Sequence, residues 1–312
     1  MGCLLPTVFP LCSEGTAGRP FDKRRIWTYE RTSGPLDDLP RARGSDGIAA
    51  VAVSPVAYLE IVAAPRELMD TDRGSSTLRT VKSAVIFDGD DTLWLTESLY
   101  DDARREARAI VENAGFDGAR WEILERDFDV SNVVTMGHSP ERFPTSCLQA
   151  LDALSADQGG GPSSSTRRDV LAAAEGVFTA DAPLRAHALQ TLRELTARGL
   201  KLALLTKGDR AVQEQRIERS GLAEFFDVIE IVDAKSSADV LRVARRLGVD
   251  PADVVSVGNS VRSDVLPSLD AGAQAVWIPA HVWEYEQAHD HLVPDDVPTI
   301  SDLAEVLAFV GR

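Results

Sequence analysis

Asp88, Asp90, Asp91 and Thr92 fall within five residues, directly after the apolar run Ala84-Val85-Ile86-Phe87. A carboxylate delivered at the end of a buried strand can serve as a nucleophile, as a general acid or base, or as a ligand to a hard cation. In extended chain, residues two apart point the same way, so Asp88 and Asp90 are expected to share one face. Two carboxylates held together repel, which calls for a cation or a shared proton between them. By itself D-G-D-D is also an ordinary acidic turn, because Asp and Gly are common turn residues. The rest of the chain decides between the two.

Further polar residues stand at the ends of other apolar runs. In Leu-Leu-Thr-Lys-Gly-Asp, the Thr206 hydroxyl and the backbone N–H groups of the Lys207–Gly208 turn could cradle a phosphate oxygen. A helix cap following a strand would look the same. Lysine is scarce after Glu97, where only Lys201, Lys207 and Lys235 occur. Asn259 and Asp264 lie in VVSVGNSVRSD, again behind an apolar run. Trp94, His138, Arg142 and Arg185 are candidate substrate contacts. Arg142, in the segment Gly137–Pro144, could pair a carboxylate or a second phosphate, or simply form a surface ion pair.

These residues need a frame. Ala84–Phe87, Leu202–Leu205, Phe226–Val232, Val254–Val257 and Ala273–Ile278 read as strands buried on both faces. Helical patterns at Leu184–Ala197, Ser236–Leu247, Arg262–Ala271 and Ser301–Val310 alternate with them. Such alternation predicts an α/β fold with a doubly wound parallel sheet. Between the first strand and the others, Ser98–Asp181 reads as all helical. Ser98 is expected to cap a first helix that ends at Gly115, Trp121–Phe128, Thr145–Leu154 and Val170–Phe178 continue, and the Gly/Ser-rich Ser155–Thr166 is expected to be a loop.

Ala84–Leu93 resembles the first motif, D-x-D-x-T, of the haloacid dehalogenase-like hydrolase superfamily, and the three later segments resemble its other motifs in the same order. The resemblance runs from Val81 to about Val310. It implies a Rossmann-like catalytic core at 81–97 and 182–312, with an inserted helical cap of the C1 type at 98–181. It further implies a phosphatase that acts on a small phosphate monoester. Asp88 would be the nucleophile that forms an aspartyl-phosphate, and Asp90 the general acid and base. Thr206, Lys207 and Lys235 would bind the phosphoryl group, with Lys235 as the motif lysine. Mg²⁺ would be held by Asp88, the backbone carbonyl of Asp90, Asn259 and Asp264. Trp94, His138 and Arg142 would bear on specificity. Two positions depart from the family pattern: Asn259 stands where an acidic residue is usual, and Asp91 where glycine is commoner. A dehalogenase is the alternative enzyme, although that branch lacks the second aspartate. A phosphate-binding or scaffold protein with weak turnover is the alternative outside catalysis.

Composition bounds the partners. Hydrophobic residues make up 44% and charged residues 26%, an ordinary globular balance. A net charge of −16 disfavours nucleic acid polymers and anionic membranes, which leaves a small phosphorylated metabolite. Cys3, Cys12 and Cys147 form no C-x-x-C pair, consistent with a reducing, cytoplasmic setting. No apolar run reaches membrane-spanning length, and Ile48–Ala64 is broken by Pro55 and Glu60. Residues 1–80 show little periodicity and are expected to be a disordered or accessory extension, dispensable up to Leu68.

Overall fold

Strand β1, Ala84–Phe87, lies at the centre of a five-stranded sheet with the order β3-β2-β1-β4-β5, every pairing parallel. The computed structural model describes residues 82–157, 161–280, 283, 285 and 290–311. The expectations for residues 1–80, Cys3 and Cys12 included, lie outside these. The partners of β1 are β2 (Lys201–Lys207) and β4 (Val254–Gly258); β3 (Val228–Val232) and β5 (Gln274–Trp277) flank them. All four β1 residues are buried because helices cover both faces. Val85 and Phe87 pack with α5 (Ala188–Ala197) and the short 3₁₀ segment Leu303–Ala308. Ala84 and Ile86 face the other way, against α7 (Ser237–Leu247). The sequence order of the strands reverses between β1 and β4, and a parallel sheet opens a crevice at the carboxyl ends of the strands at such a point.

Four helices, α1 (Glu97–Asn113), α2 (Gly118–Met136), α3 (Arg142–Asp157) and α4 (Ser164–Glu175), fill the interval between β1 and α5. They have their own apolar centre, which includes Ala107, Val111, Trp121, Phe143, Leu151 and Val170. Each large side chain buried there is worth roughly 1.5–3 kcal/mol. The helices run longer than the apolar pattern predicts: α2 continues to Met136, α3 begins at Arg142, and α4 begins at Ser164, inside the expected loop. Ser163 caps α4 by accepting from Thr166 N, which is how a Ser-rich stretch becomes a helix start. Helix α6 (Arg210–Ser220) also appears, capped by Asp209 and ended by Gly221 in the left-handed conformation.

Arg104 is buried among these helices, its guanidinium shared between Glu97 (3.1 Å) and Glu125 (3.0 Å). Glu125 is wholly buried, and among the described residues its Oε1 has no hydrogen-bond partner. Burial pushes its carboxyl up from 4.5 to about 7, against the pull of Arg104. An acid that holds its proton more tightly when folded costs stability as pH rises through the interval between its unfolded and folded values. Glu125→Gln is therefore expected to melt higher than the parent protein at pH 8 and no higher at pH 4.5. A lower melting temperature for the variant at pH 8 would show that the Arg104 pair dominates instead.

Candidate active site

The carboxyl ends of β1, β2 and β4 deliver Asp88, Thr206 and Asn259 to one cavity of about 150 Å³, which is closed on the far side by residues of α1 and α3. Asp88 is 7% exposed, and its backbone N–H donates to Val257 O at 2.9 Å, tying β1 to β4 at the site. Lys235 enters from the turn before α7. Its ammonium donates to Asp88 Oδ1 and, at 2.6 Å, to Asp264 Oδ1. The three groups are almost fully buried together. Burial pushes the Asp88 carboxyl up to about 7; Lys235 opposes this and Asp264 adds to it. The two carboxylates in turn hold the Lys235 ammonium above its ordinary value, outweighing burial.

Asp264 is carried by a π-helical turn, Val261–Val265, that follows β4. Single π turns of this kind often mark functional positions. Asp264 Oδ2 accepts from Ser260 N at 2.9 Å. The turn folds so tightly over β4 that a Cβ at Gly258 would collide with the Asp264 carboxylate. Asn259 is 8% exposed, and its amide is best satisfied with Nδ2 donating to Asp90 O (3.3 Å) and Asp88 Oδ2 (3.2 Å).

Asp90 is held by donors alone: Trp94 Nε1 to Oδ1 (2.7 Å), and Gln213 Nε2 (2.7 Å) and Arg216 Nη1 (2.8 Å) to Oδ2. Gln213 also reaches Thr206 Oγ1 at 3.3 Å and Lys207 O at 3.1 Å, so helix α6 braces both strand ends. Neither Gln213 nor Arg216 is visible in the strand pattern. The available signal was the cap and stop pair of α6, Asp209 and Gly221.

Trp94 is not a substrate contact. It is 1% exposed, belongs to the core, and does not line the cavity. The space for its ring comes from Gly89, where a Cβ would sit 2.6 Å from the indole. Arg185 likewise braces the backbone, donating from Nη2 to Asp91 O at 2.9 Å. His138 and Arg142 do line the cavity. Arg142 opens α3. Lys207 lines the cavity too, with Nζ donating to Ser263 Oγ at 2.7 Å.

Asp91 has a structural task. Its φ is +58°, a region that Asp enters more readily than most residues and that glycine enters freely. Its carboxylate accepts from Thr96 N (2.9 Å), Thr96 Oγ1 (2.7 Å) and Glu97 N (3.0 Å), satisfying the first N–H groups of α1. The expected Ser98 cap is not used: Ser98 Oγ donates back to Leu95 O at 3.3 Å.

Among the described residues, no three His, Cys, Asp or Glu side chains form a ready cation cage. The oxygen set does suit a hard cation: Asp88 Oδ2, Asp90 O, Asp264 and the amide oxygen of Asn259 after one amide rotation. Asn259 contributes no charge, and Lys235 already draws on both acids, which explains why no purely acidic cluster forms.

A family model described as haloacid dehalogenase-like hydrolase matches residues 82–272. The chain is 28% identical over 221 residues to a glyceraldehyde 3-phosphate phosphatase of Methanopyrus kandleri, covering 68% of this chain and 91% of that protein. It is 27% identical over 239 residues to a protein of the same name from Methanothermobacter thermautotrophicus, covering 72% and 97%. In fold it is similar to a haloacid dehalogenase-like family hydrolase from Xanthomonas campestris, with a TM-score of 0.59, 24% identity, and coverage of 73% of this chain and 92% of that one. With the motif residues assembled at the ends of β1, β2 and β4, and a family match across most of the sheet and all four inserted helices, the chain belongs to the haloacid dehalogenase-like hydrolases.

Proposed function

We propose that the protein is a Mg²⁺-dependent phosphatase that hydrolyses a small phosphate monoester through a phosphorylated Asp88. The observation that carries this reading is the meeting of Asp88, Lys235 and Asp264 at the switch point of the sheet, with Asp90 held two residues from Asp88. The phosphatase names of its relatives support it. A dehalogenase has no use for a second carboxylate, because a halide leaves without a proton; the three donors spent on Asp90 speak against that alternative. The helices α1–α4 form the cap over the core, within an insertion at about 98–181.

Asp88 attacks phosphorus with a carboxylate oxygen, and the phosphoryl group leaves the substrate for Asp88. Asp90 gives a proton to the departing oxygen and later takes one from the water that cleaves the aspartyl-phosphate. Trp94, Gln213 and Arg216 fix the direction of that carboxylate. Lys235 and the Thr206 hydroxyl face the phosphoryl oxygens, where charge must be balanced in the transition state. A bound Mg²⁺ supplies further positive charge for these oxygens, and Asp88, Asp90 O, Asn259 and Asp264 are the residues that would hold it.

Hydrolysis of p-nitrophenyl phosphate tests this reading, with 2-chloropropionate as the control. Phosphate release is expected with Mg²⁺ and is expected to stop in EDTA, with no chloride released. Chloride release indifferent to EDTA would establish the dehalogenase instead. Asn259→Asp adds one negative charge to the oxygen set, so calorimetric titration should show Mg²⁺ binding more tightly to the variant. Unchanged or weaker binding would remove Asn259 from the ligand set.

A further inference from the structure

The cavity has a second polar end, formed by Arg142 at the start of α3 and Trp283. The Arg142 side chain is 9% exposed. Its Nε lies 3.2 Å from Asp129 Oδ1, and its guanidinium carbon stacks 4.0 Å from the centre of the Trp283 ring. His138 meets the same indole edge to face, with ring centres 6.3 Å apart. The guanidinium thus lies between the Asp129 carboxylate and the Trp283 face, yet among the described residues neither its buried Nε nor its buried Nη1 has a hydrogen-bond acceptor. Among the described residues, the buried indole Nε1 of Trp283 has no acceptor either. An unmet buried donor costs free energy that a fitting acceptor returns. Both groups are donors and both residues line the cavity that Asp88 and Lys235 line from the core side.

The geometry points to a substrate that carries a carboxylate on the side away from its phosphoryl group, received by Arg142 Nη1 and Trp283 Nε1. This rests on the phosphatase reading above. Asp129 already balances one unit of the Arg142 charge, so the pair offers directed N–H groups with little surplus charge. Such a site suits a monoanion better than a second, dianionic phosphoryl group. The planar guanidinium edge also matches a carboxylate in shape. A cavity of about 150 Å³ has room for a short phospho-acid. The substrate class is therefore a small phosphorylated carboxylic acid, released as its hydroxy acid together with inorganic phosphate.

A matched pair tests this: 3-phosphoglycerate and glyceraldehyde 3-phosphate, which differ in one terminal group, carboxylate against aldehyde. The protein is expected to show the higher kcat/KM for the acid. Arg142→Met is expected to lower the ratio of kcat/KM, acid over aldehyde, by about 10- to 100-fold, the range for one charge-assisted hydrogen bond. Arg142→Lys should restore part of it, since charge returns without the planar fork. Trp283→Phe keeps the stacked ring and removes the N–H, so it should lower the same ratio by a smaller factor. Should Arg142→Met fail to fold, the parent preference and the Trp283→Phe ratio decide. A parent protein indifferent to the terminal group, one that prefers the aldehyde or 2,3-bisphosphoglycerate, or an acid-to-aldehyde ratio unmoved by these variants overturns the inference. If the parent protein releases phosphate from none of these esters or from p-nitrophenyl phosphate, it is the phosphatase reading that fails.

Discussion

Asp88→Asn is expected to reduce phosphate release to background while the protein stays folded. An amide has nearly the shape of the carboxylate, and its Oδ1 can still accept from Lys235, as the native Oδ1 does. It is nevertheless a poor nucleophile, so the covalent route closes. Folding should not suffer. Burial pushes the native Asp88 carboxyl up to about 7, so its ionised form is a cost to the folded state at pH 8. The variant is expected to melt at or above the parent temperature at that pH. Asp90→Asn is expected to slow turnover less, by about 10²–10⁴-fold, because it removes the proposed proton carrier and leaves the proposed nucleophile in place. Phosphate release by Asp88→Asn within tenfold of the parent would rule out Asp88 as nucleophile. Mass spectrometry of the parent protein, quenched during turnover, should place the phosphoryl group on the peptide containing Asp88.

Lys235→Met is expected to damage activity and stability together. The native ammonium is 3% exposed and donates to Asp88 and Asp264, so its loss leaves two buried carboxylates without their cation. Breaking a buried pair in this way costs about 3–5 kcal/mol. The methionine stem fills most of the same space, which makes the charge the main loss. The sign with pH follows from the direction of the lysine shift. Its folded value lies above the unfolded one, so its contribution is complete below about 10.4 and is lost only as pH rises through the folded value. At pH 8 the full deficit should appear as a lower melting temperature. Toward pH 5 the deficit should narrow, because in the variant the two acids can take up protons and relieve their repulsion. Calorimetry at both pH values measures this. Turnover should fall about 10²–10³-fold, as on removal of one preorganised charge-stabilising donor. A variant as stable as the parent at pH 8, with turnover within tenfold, would contradict both roles.

Much of the frame was legible because its physical causes are local. Ala84–Phe87 is wholly apolar and β-branched in part, so it had to be a strand covered on both faces, and it is. The residues behind such runs then fall at one edge of a parallel sheet, which brought Asp88, Thr206, Lys235, Asn259 and Asp264 within reach of one another without any knowledge of their geometry. Expected helix limits failed where capping side chains set them. Ser163 started α4 inside a Gly/Ser-rich stretch, and Asp91, seven residues before Ser98, did for α1 what Ser98 was expected to do.

What the sequence by itself determined is the order of apolar and polar runs, hence the parallel sheet, the inserted helices and the identity of the acids, hydroxyl and lysine at its edge. Only the tertiary structure decided the company those groups keep. Gln213 and Arg216 lie 123 and 126 residues from Asp90, yet they hold its carboxylate. Trp94 proved to be a buried brace, and Trp283 became the face on which Arg142 rests. The reason is physical: periodicity records which side of an element is apolar, and a hydrogen bond between elements depends on how they pack, which no local pattern encodes.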